Sequence, residues 1–98
     1  MPQGDPVVYD VKAAIASHAQ ISNLEQYQTL YARAEGDSQQ FWLDQALKRL
    51  SWQKEPSQAL RGGYDALDFT WFADGQLNAS VQCVDRHLDA HPDKTAII

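Results

Sequence analysis

Residues 23–50 read NLEQYQTLYARAEGDSQQFWLDQALKRL, two helical periods with one glycine between them. In the first half Leu24, Tyr27, Leu30, Tyr31 and Ala34 recur three and four apart. That spacing lines side chains along one face of a helix. Ser22 or Asn23 can cap its start, and Glu25 sits in the first turn, where a carboxylate suits the helix dipole. Gly36 suits its end, since glycine tolerates the backbone turns that close a helix. Asp37 restarts the pattern at once, with Gln40 at capping-box spacing. Trp42, Leu43, Ala46, Leu47 and Leu50 then form an apolar face, with Phe41 on its edge. Lys48 and Arg49 fall in the last turn, where cations are favoured. The stretch predicts an αα-hairpin joined at Gly36-Asp37 with little slack.

On the N-terminal side, Met1 to Pro6 is a loose leader. Val11, Ala14, Ile15 and Ala19 then predict a brief helix within Val8 to Ala19. On the C-terminal side, Ser51 to Asp68 has no clean period. With Pro56 and Gly62-Gly63 it reads as a long connection, and Trp52 at its start reads as a packing anchor. Phe69 to Phe72 is β-prone, Ala73-Asp74-Gly75 is turn-like, and Gln76-Leu77 is extended. Asn78 caps a last helix with the stripe Val81, Val84 and Leu88, ended by Pro92. Thr95 to Ile98 is β-branched and begins a strand. The expected fold class is mostly α with a few short strands: an αα-hairpin plus a third helix. The expected core is residues 23–50 packed on a helix over 78–90, with Trp42 and Leu88 buried. No internal repeat or low-complexity stretch is present.

Size and charge bound the function. Ninety-eight residues make one domain with a small core. An apolar fraction of 44% with 21% charged residues is ordinary for a globular chain and excludes a disordered tail. Eight Lys and Arg face thirteen Asp and Glu, a net charge of −5. The basic residues are scattered, with Lys48-Arg49 the only adjacent pair. Binding to nucleic acid or an anionic membrane needs a basic stripe, so neither is expected as a partner. No apolar run nears the ~18 residues of a membrane span. Met1 to Asp10 lacks the basic and apolar regions of a secretory signal, and a cytoplasmic protein is expected. The one cysteine, Cys83, leaves no internal disulfide and no zinc ribbon.

Several short patterns carry chemistry elsewhere and are better explained here by packing. Cys83 and His87, four apart, can face the same side of a helix. A zinc site needs two more ligands, and only His18 and His91 remain as histidines. Cys83 as a nucleophile lacks an oriented acid and an oxyanion hole. Asp85-Arg86-His87 cannot converge as a triad, because neighbours on a helix point in different directions. Arg86 and Asp85 read instead as cross-links from this helix to a strand or another domain. Arg61-Gly62-Gly63 reads as a flexible loop, with no following helix or lysine to make a phosphate cradle. Asn78-Ala79-Ser80 matches the glycosylation pattern, which means nothing without a signal peptide. Trp42, Trp52 and Trp71 can build a ligand cage, but three tryptophans more readily share a small core partly docked on a partner. These residues support an α-rich interaction or scaffold domain. No catalytic, cofactor-binding or metal-binding residue is singled out.

The order of residues carries a resemblance. Tyr27-x-x-Leu30-Tyr31, Asp37, Phe41-Trp42, Ala46 and Leu50-x-Trp52 resemble the start of the AMP-forming acetyl-coenzyme A synthetases, adenylate-forming ligases. The resemblance continues in Trp71-Phe72-x-x-Gly75-x-Leu77-Asn78, in Cys83-x-Asp85-Arg86-His87-Leu88, and in Asp93-Lys94-x-Ala96-Ile97-Ile98. It runs from about Ile21 to Ile98, and residues 55–68 contribute little.

The resemblance implies an N-terminal cap ahead of a large adenylating domain. Residues 1–20 would be a leader with a short helix, 21–92 the cap, and 93–98 the start of the first strand of the missing larger α/β domain. In that family ATP and acetate form an acetyl-adenylate with loss of pyrophosphate, and coenzyme A then displaces AMP. ATP, Mg²⁺ and coenzyme A are thus implied for the full-length family. The family's Ser-, Thr- and Gly-rich phosphate loop and its late lysine have no counterpart here, so no functional residue carries over. The expected partner is the downstream adenylating domain of the same polypeptide, and the isolated fragment is expected to self-associate through its last strand. The alternative is a free-standing protein-interaction module related to the cap. A reading frame that continues past Ile98 to a phosphate loop separates the two. A propionyl-CoA or other short-chain acyl-CoA synthetase is the nearest rival within the resemblance, and Cys83 in its block favours acetate.

Overall fold

The computed structural model describes residues 4–98. Met1 to Gln3, at the start of the expected leader, lie outside the described residues. In chain order the elements are α1 (Ala13–Ala16), α2 (Leu24–Gly36), α3 (Ser38–Arg49), β1 (Leu60–Gly63), β2 (Asp68–Trp71) and α4 (Ala79–Cys83). A single 3-10 turn, Asp85–His87, follows α4. Helix outweighs strand, as expected for a small, mostly helical domain.

The two long helices start where their caps dictate. Asn23 Oδ1 accepts from the Gln26 backbone N–H at 2.8 Å, and the Gln26 side chain accepts from the Ser22 N–H at 2.8 Å. This reciprocal pair satisfies one donor of the first helical turn, at Gln26, and the N–H of Ser22 just ahead of the cap. Asp37 ends α2 and caps α3, where its Oδ1 accepts from the Gln40 N–H at 3.0 Å. The Gln40 side chain turns instead to Asp44, donating to its Oδ1 at 2.7 Å.

The hairpin is open. α2 buries no residue, while α3 buries Phe41 and Ala46. Near the turn Arg33 ties the helices together, through an ion pair with Asp44 and a guanidinium 5.8 Å from the Phe41 ring centre. α3 packs mainly on the irregular chain that follows it. The Gln39 side chain donates to the Leu60 carbonyl at 2.7 Å and accepts from the Leu60 N–H at 2.9 Å. The Trp52 indole N–H donates to the Ala46 carbonyl at 3.0 Å. Pro56 and Ala59 complete the buried set among the described residues.

Four expectations change. Trp42 is 45% exposed and Leu88 49% exposed, so neither is a core residue. The 51–60 chain grips α3 on the Phe41 and Ala46 side, and Trp42 stands about 100° round the helix from Phe41. The helix expected over 78–90 ends at Cys83, because Val84 leaves helical geometry at φ −127°, ψ −67°. Its apolar stripe finds no continuous partner, and packing supplies most of a short helix's stability. Within Ser51 to Asp68 a strand appears: β1 pairs antiparallel with β2, Leu60 opposite Trp71 and Gly63 opposite Asp68. Residues 95–98 join no ladder among the described residues; the sheet expected to take them up belongs to the larger domain. The N-terminal helix shrinks to the single turn Ala13–Ala16, which buries nothing.

The molecule is spread out. Its radius of gyration is 19.3 Å, against about 13 Å for a compact chain of this length. Its accessible surface is 8817 Å², whereas a folded monomer of 11.0 kDa exposes roughly 5,600 Å².

Candidate functional site

A packed seam holds the second half of the chain against α3. Trp52 lies at its centre, with its ring centre 5.8 Å from that of Phe72. Gly75 sits directly beneath the indole. A Cβ there would lie 2.7 Å from Trp52 Cζ3 and 3.2 Å from Pro56 Cβ. The Phe72 backbone adopts φ 50° and donates its N–H to the Ala59 carbonyl at 2.7 Å. Lys54 and Gln76 form an isolated antiparallel bridge beside it. The turn of Ala73 to Gly75 thereby folds back over Trp52.

Three polar side chains pin this arrangement. Asp74 accepts from the Ser57 N–H with both carboxylate oxygens, at 3.0 and 3.2 Å. Hydrogen bonding from the Ser57 side chain, and then from its backbone N–H, favours the ionised form and lowers the Asp74 pKa. Gln82, on α4, accepts from the Ser51 N–H at 2.9 Å and donates to the Ser51 carbonyl. Arg86 donates to the Arg49 carbonyl at 2.8 Å and to Gln82 Oε1 at 3.2 Å. It thus caps the C-terminal end of α3, where the open carbonyls and the dipole both favour a cation.

The residues weighed in the sequence fall as follows. Arg86 is the expected cross-link, and its partner is the end of a helix. His87 turns back on its own segment, with Nε2 3.0 Å from the Gln82 carbonyl. Cys83 is a free, exposed thiol. Among the described residues no three His, Cys, Asp or Glu side chains gather as a metal site. Arg61-Gly62-Gly63 is strand rather than flexible loop. Gly62 has φ 80°, and a Cβ there would lie 1.8 Å from the Asp68 carbonyl oxygen. Gly62 therefore serves the close approach of the ladder. Asn78 Oδ1 accepts from the Ser80 N–H at 2.9 Å, and this sequon asparagine is a helix cap. Trp52 and Trp71 both meet Phe72, whereas the ring partner of Trp42 is Phe41. Gln39, Gln82 and Asp74 were not singled out in the sequence. A glutamine on a helix face gives no local signal that it will staple a distant backbone.

Many other apolar side chains lie open. Leu24, Tyr27 and Tyr31 on α2 are exposed, with the tyrosine rings 6.0 Å apart on one face. Val7, Val8, Val11 and Ile15 are exposed before it. The negative charge of Glu35, one turn on, raises the Tyr31 pKa and keeps its phenol neutral. No helix among the described residues is long and apolar enough to cross a membrane.

Fold and seam thus define a small helical domain whose polar staples are internal and whose apolar stripes face outward. The chain belongs to the family described as the acetyl-coenzyme A synthetase N-terminus, whose model matches residues 27–83. The match begins inside α2 and ends at the last residue of α4. Acetyl-coenzyme A synthetase of Laribacter hongkongensis is 45% identical over 85 residues, 87% of this chain and 13% of that protein. The enzyme of that name from Xanthomonas campestris pv. campestris (strain 8004) is 45% identical over 93 residues, covering 93% of this chain and 14% of its own length. That from Thiobacillus denitrificans is 40% identical over 91 residues, again 93% and 14%. The chain spans about one seventh of the length of these curated relatives.

Proposed function

We propose that this chain is the N-terminal cap of an acetate–CoA ligase of the AMP-forming type. It serves a structural role on an adenylating domain that carries the chemistry. Residues 1–20 form the leader, 21–92 the cap, and 93–98 lead into the larger domain. In the complete enzyme ATP, Mg²⁺ and coenzyme A would be bound outside these residues, in the cytoplasm. There acetate and ATP give acetyl-adenylate and pyrophosphate, and the coenzyme A thiol displaces AMP. The observation that carries this reading is identity of 40–45% with acetyl-coenzyme A synthetases across nearly the whole chain. An internally stapled domain with its apolar side chains outward fits a cap better than a free-standing module.

Two measurements test it. The purified chain with Mg²⁺ should give no acetate-dependent exchange of pyrophosphate into ATP. A fusion in which it replaces the matching region of the Xanthomonas campestris protein should give that exchange. Turnover by the chain by itself, or a folded but inactive fusion, overturns the proposal.

A further inference from the structure

A 13-residue helix that buries nothing is anomalous. Isolated helices of that length are marginal in water, and they hold in proteins by packing an apolar stripe. α2 has such a stripe, Leu24, Tyr27 and Tyr31, and it is 66%, 51% and 53% exposed. Caps hold the two ends of the helix, and Arg33 tethers its C-terminal half to α3. The stripe therefore projects as an arm with its apolar side uncovered.

The missing area says how large the occupant must be. The chain exposes roughly 3,200 Å² beyond what a compact monomer of its mass exposes. A standard interface covers about 800 Å² of each partner, and large obligate ones reach about 2,500 Å² or more. One symmetric contact of standard size with a second copy leaves about three-quarters of the excess bare. A body several times larger, along which the spread chain can lie, covers it. The relatives supply such a body, since about six-sevenths of their length lies outside the match. The family match also includes Tyr27 and Tyr31.

We propose that the Leu24–Tyr27–Tyr31 face of α2 is the docking face that seats this domain on the larger remainder of an acetyl-coenzyme A synthetase polypeptide. The inference rests on the cap reading above and adds the face. The partner surface it fits is apolar, to match Leu24 and the two tyrosine rings. The α3 seam, already filled by Trp52, Phe72 and Pro56, stays intact on docking.

Backbone hydrogen exchange tests the face, and pyrophosphate exchange tests the cap reading separately. The amides of α2 should exchange at least about tenfold more slowly in the Xanthomonas campestris fusion than in the separate chain. The Tyr27→Gln/Tyr31→Gln fusion should lose that protection, while the same double variant of the separate chain should melt with the parent. Leu24→Gln, at the far end of the stripe, repeats the test with a milder change. An active fusion whose α2 exchanges as fast as in the separate chain overturns the face and leaves the cap reading standing. Protection without activity supports the face and removes the enzymatic reading. Protection of α2 in the separate chain that saturates at a dimer and equals that in the fusion makes a second copy the occupant and overturns the proposal.

Discussion

Phe41 and Trp42 are adjacent and unequal. Phe41 is 6% exposed beneath Arg33, and Trp42 keeps nearly half its surface in water. Phe41→Ala should cost about 3–5 kcal/mol, from lost burial and a residual cavity. Trp42→Ala should cost only about 1–2 kcal/mol, because half of its area is never removed from water. Urea unfolding midpoints of the two variants check the order, and a larger loss at Trp42 would refute the packing described. Gly75→Ala should cost about 1–3 kcal/mol, since its Cβ would lie 2.7 Å from Trp52 Cζ3 and the indole would have to shift. Asp74 adds a pH signature. Its pKa is lowered in the folded state by the Ser57 hydrogen bonds, so its contribution is full above the unfolded carboxyl pKa of about 3.9. That contribution fades as pH falls through the lower folded value. Asp74→Ala should therefore melt below the parent at pH 7, and the gap should close under acid. A gap unchanged between pH 7 and pH 2 would show that the carboxylate is not the stabilising group.

At the scale of elements, what was legible in the sequence followed caps and what was missed followed partners. Asn23, Asp37 and Asn78 are local signals, and each caps the helix expected of it. β1 was hidden because Arg61-Gly62-Gly63 lacks the side chains by which strands are recognised. Only the pairing with β2 shows why glycine is required at position 62. The helix expected over 78–90 looked continuous because Val81, Val84 and Leu88 keep the period. Val84 and Leu88 have no surface to meet, and the chain breaks where Arg86 reaches the end of α3. The candidate site was legible only at Trp52, as a packing anchor, and at Arg86, as a cross-link. Gln82 is where this junction is most vulnerable. Gln82→Ala removes both hydrogen bonds to Ser51 and the brace on Arg86, and should cost about 1–2 kcal/mol. Arg86→Ala should cost a similar amount. The double variant should lose less than the two together, since Arg86 and Gln82 share one bond. Strict additivity in a double-mutant cycle would mean that the two staples act independently.

For the whole molecule the governing quantity is surface. A chain of this size has little stability to spare, and this one hides only four residues among those described. Its uncovered apolar side chains lie in separate places: the leader at Val7 and Val8, the α2 stripe, and Ile97 and Ile98. Apolar patches in water associate, and scattered patches do so without a single closed geometry. Ile97 and Ile98 belong to an apolar, β-branched run that joins no sheet, so its backbone groups remain available to a neighbouring chain. The isolated chain should therefore sediment as a concentration-dependent mixture at tens of micromolar. The weight-average mass should climb past that of a dimer without a plateau. Ile97→Lys should lower that mass by placing a charge in the run. Tyr27→Gln/Tyr31→Gln should lower it independently by removing the α2 patch. A concentration-independent monomer would mean that these patches are covered within the chain. A plateau at the dimer would mean that one symmetric contact covers them, contrary to the area argument.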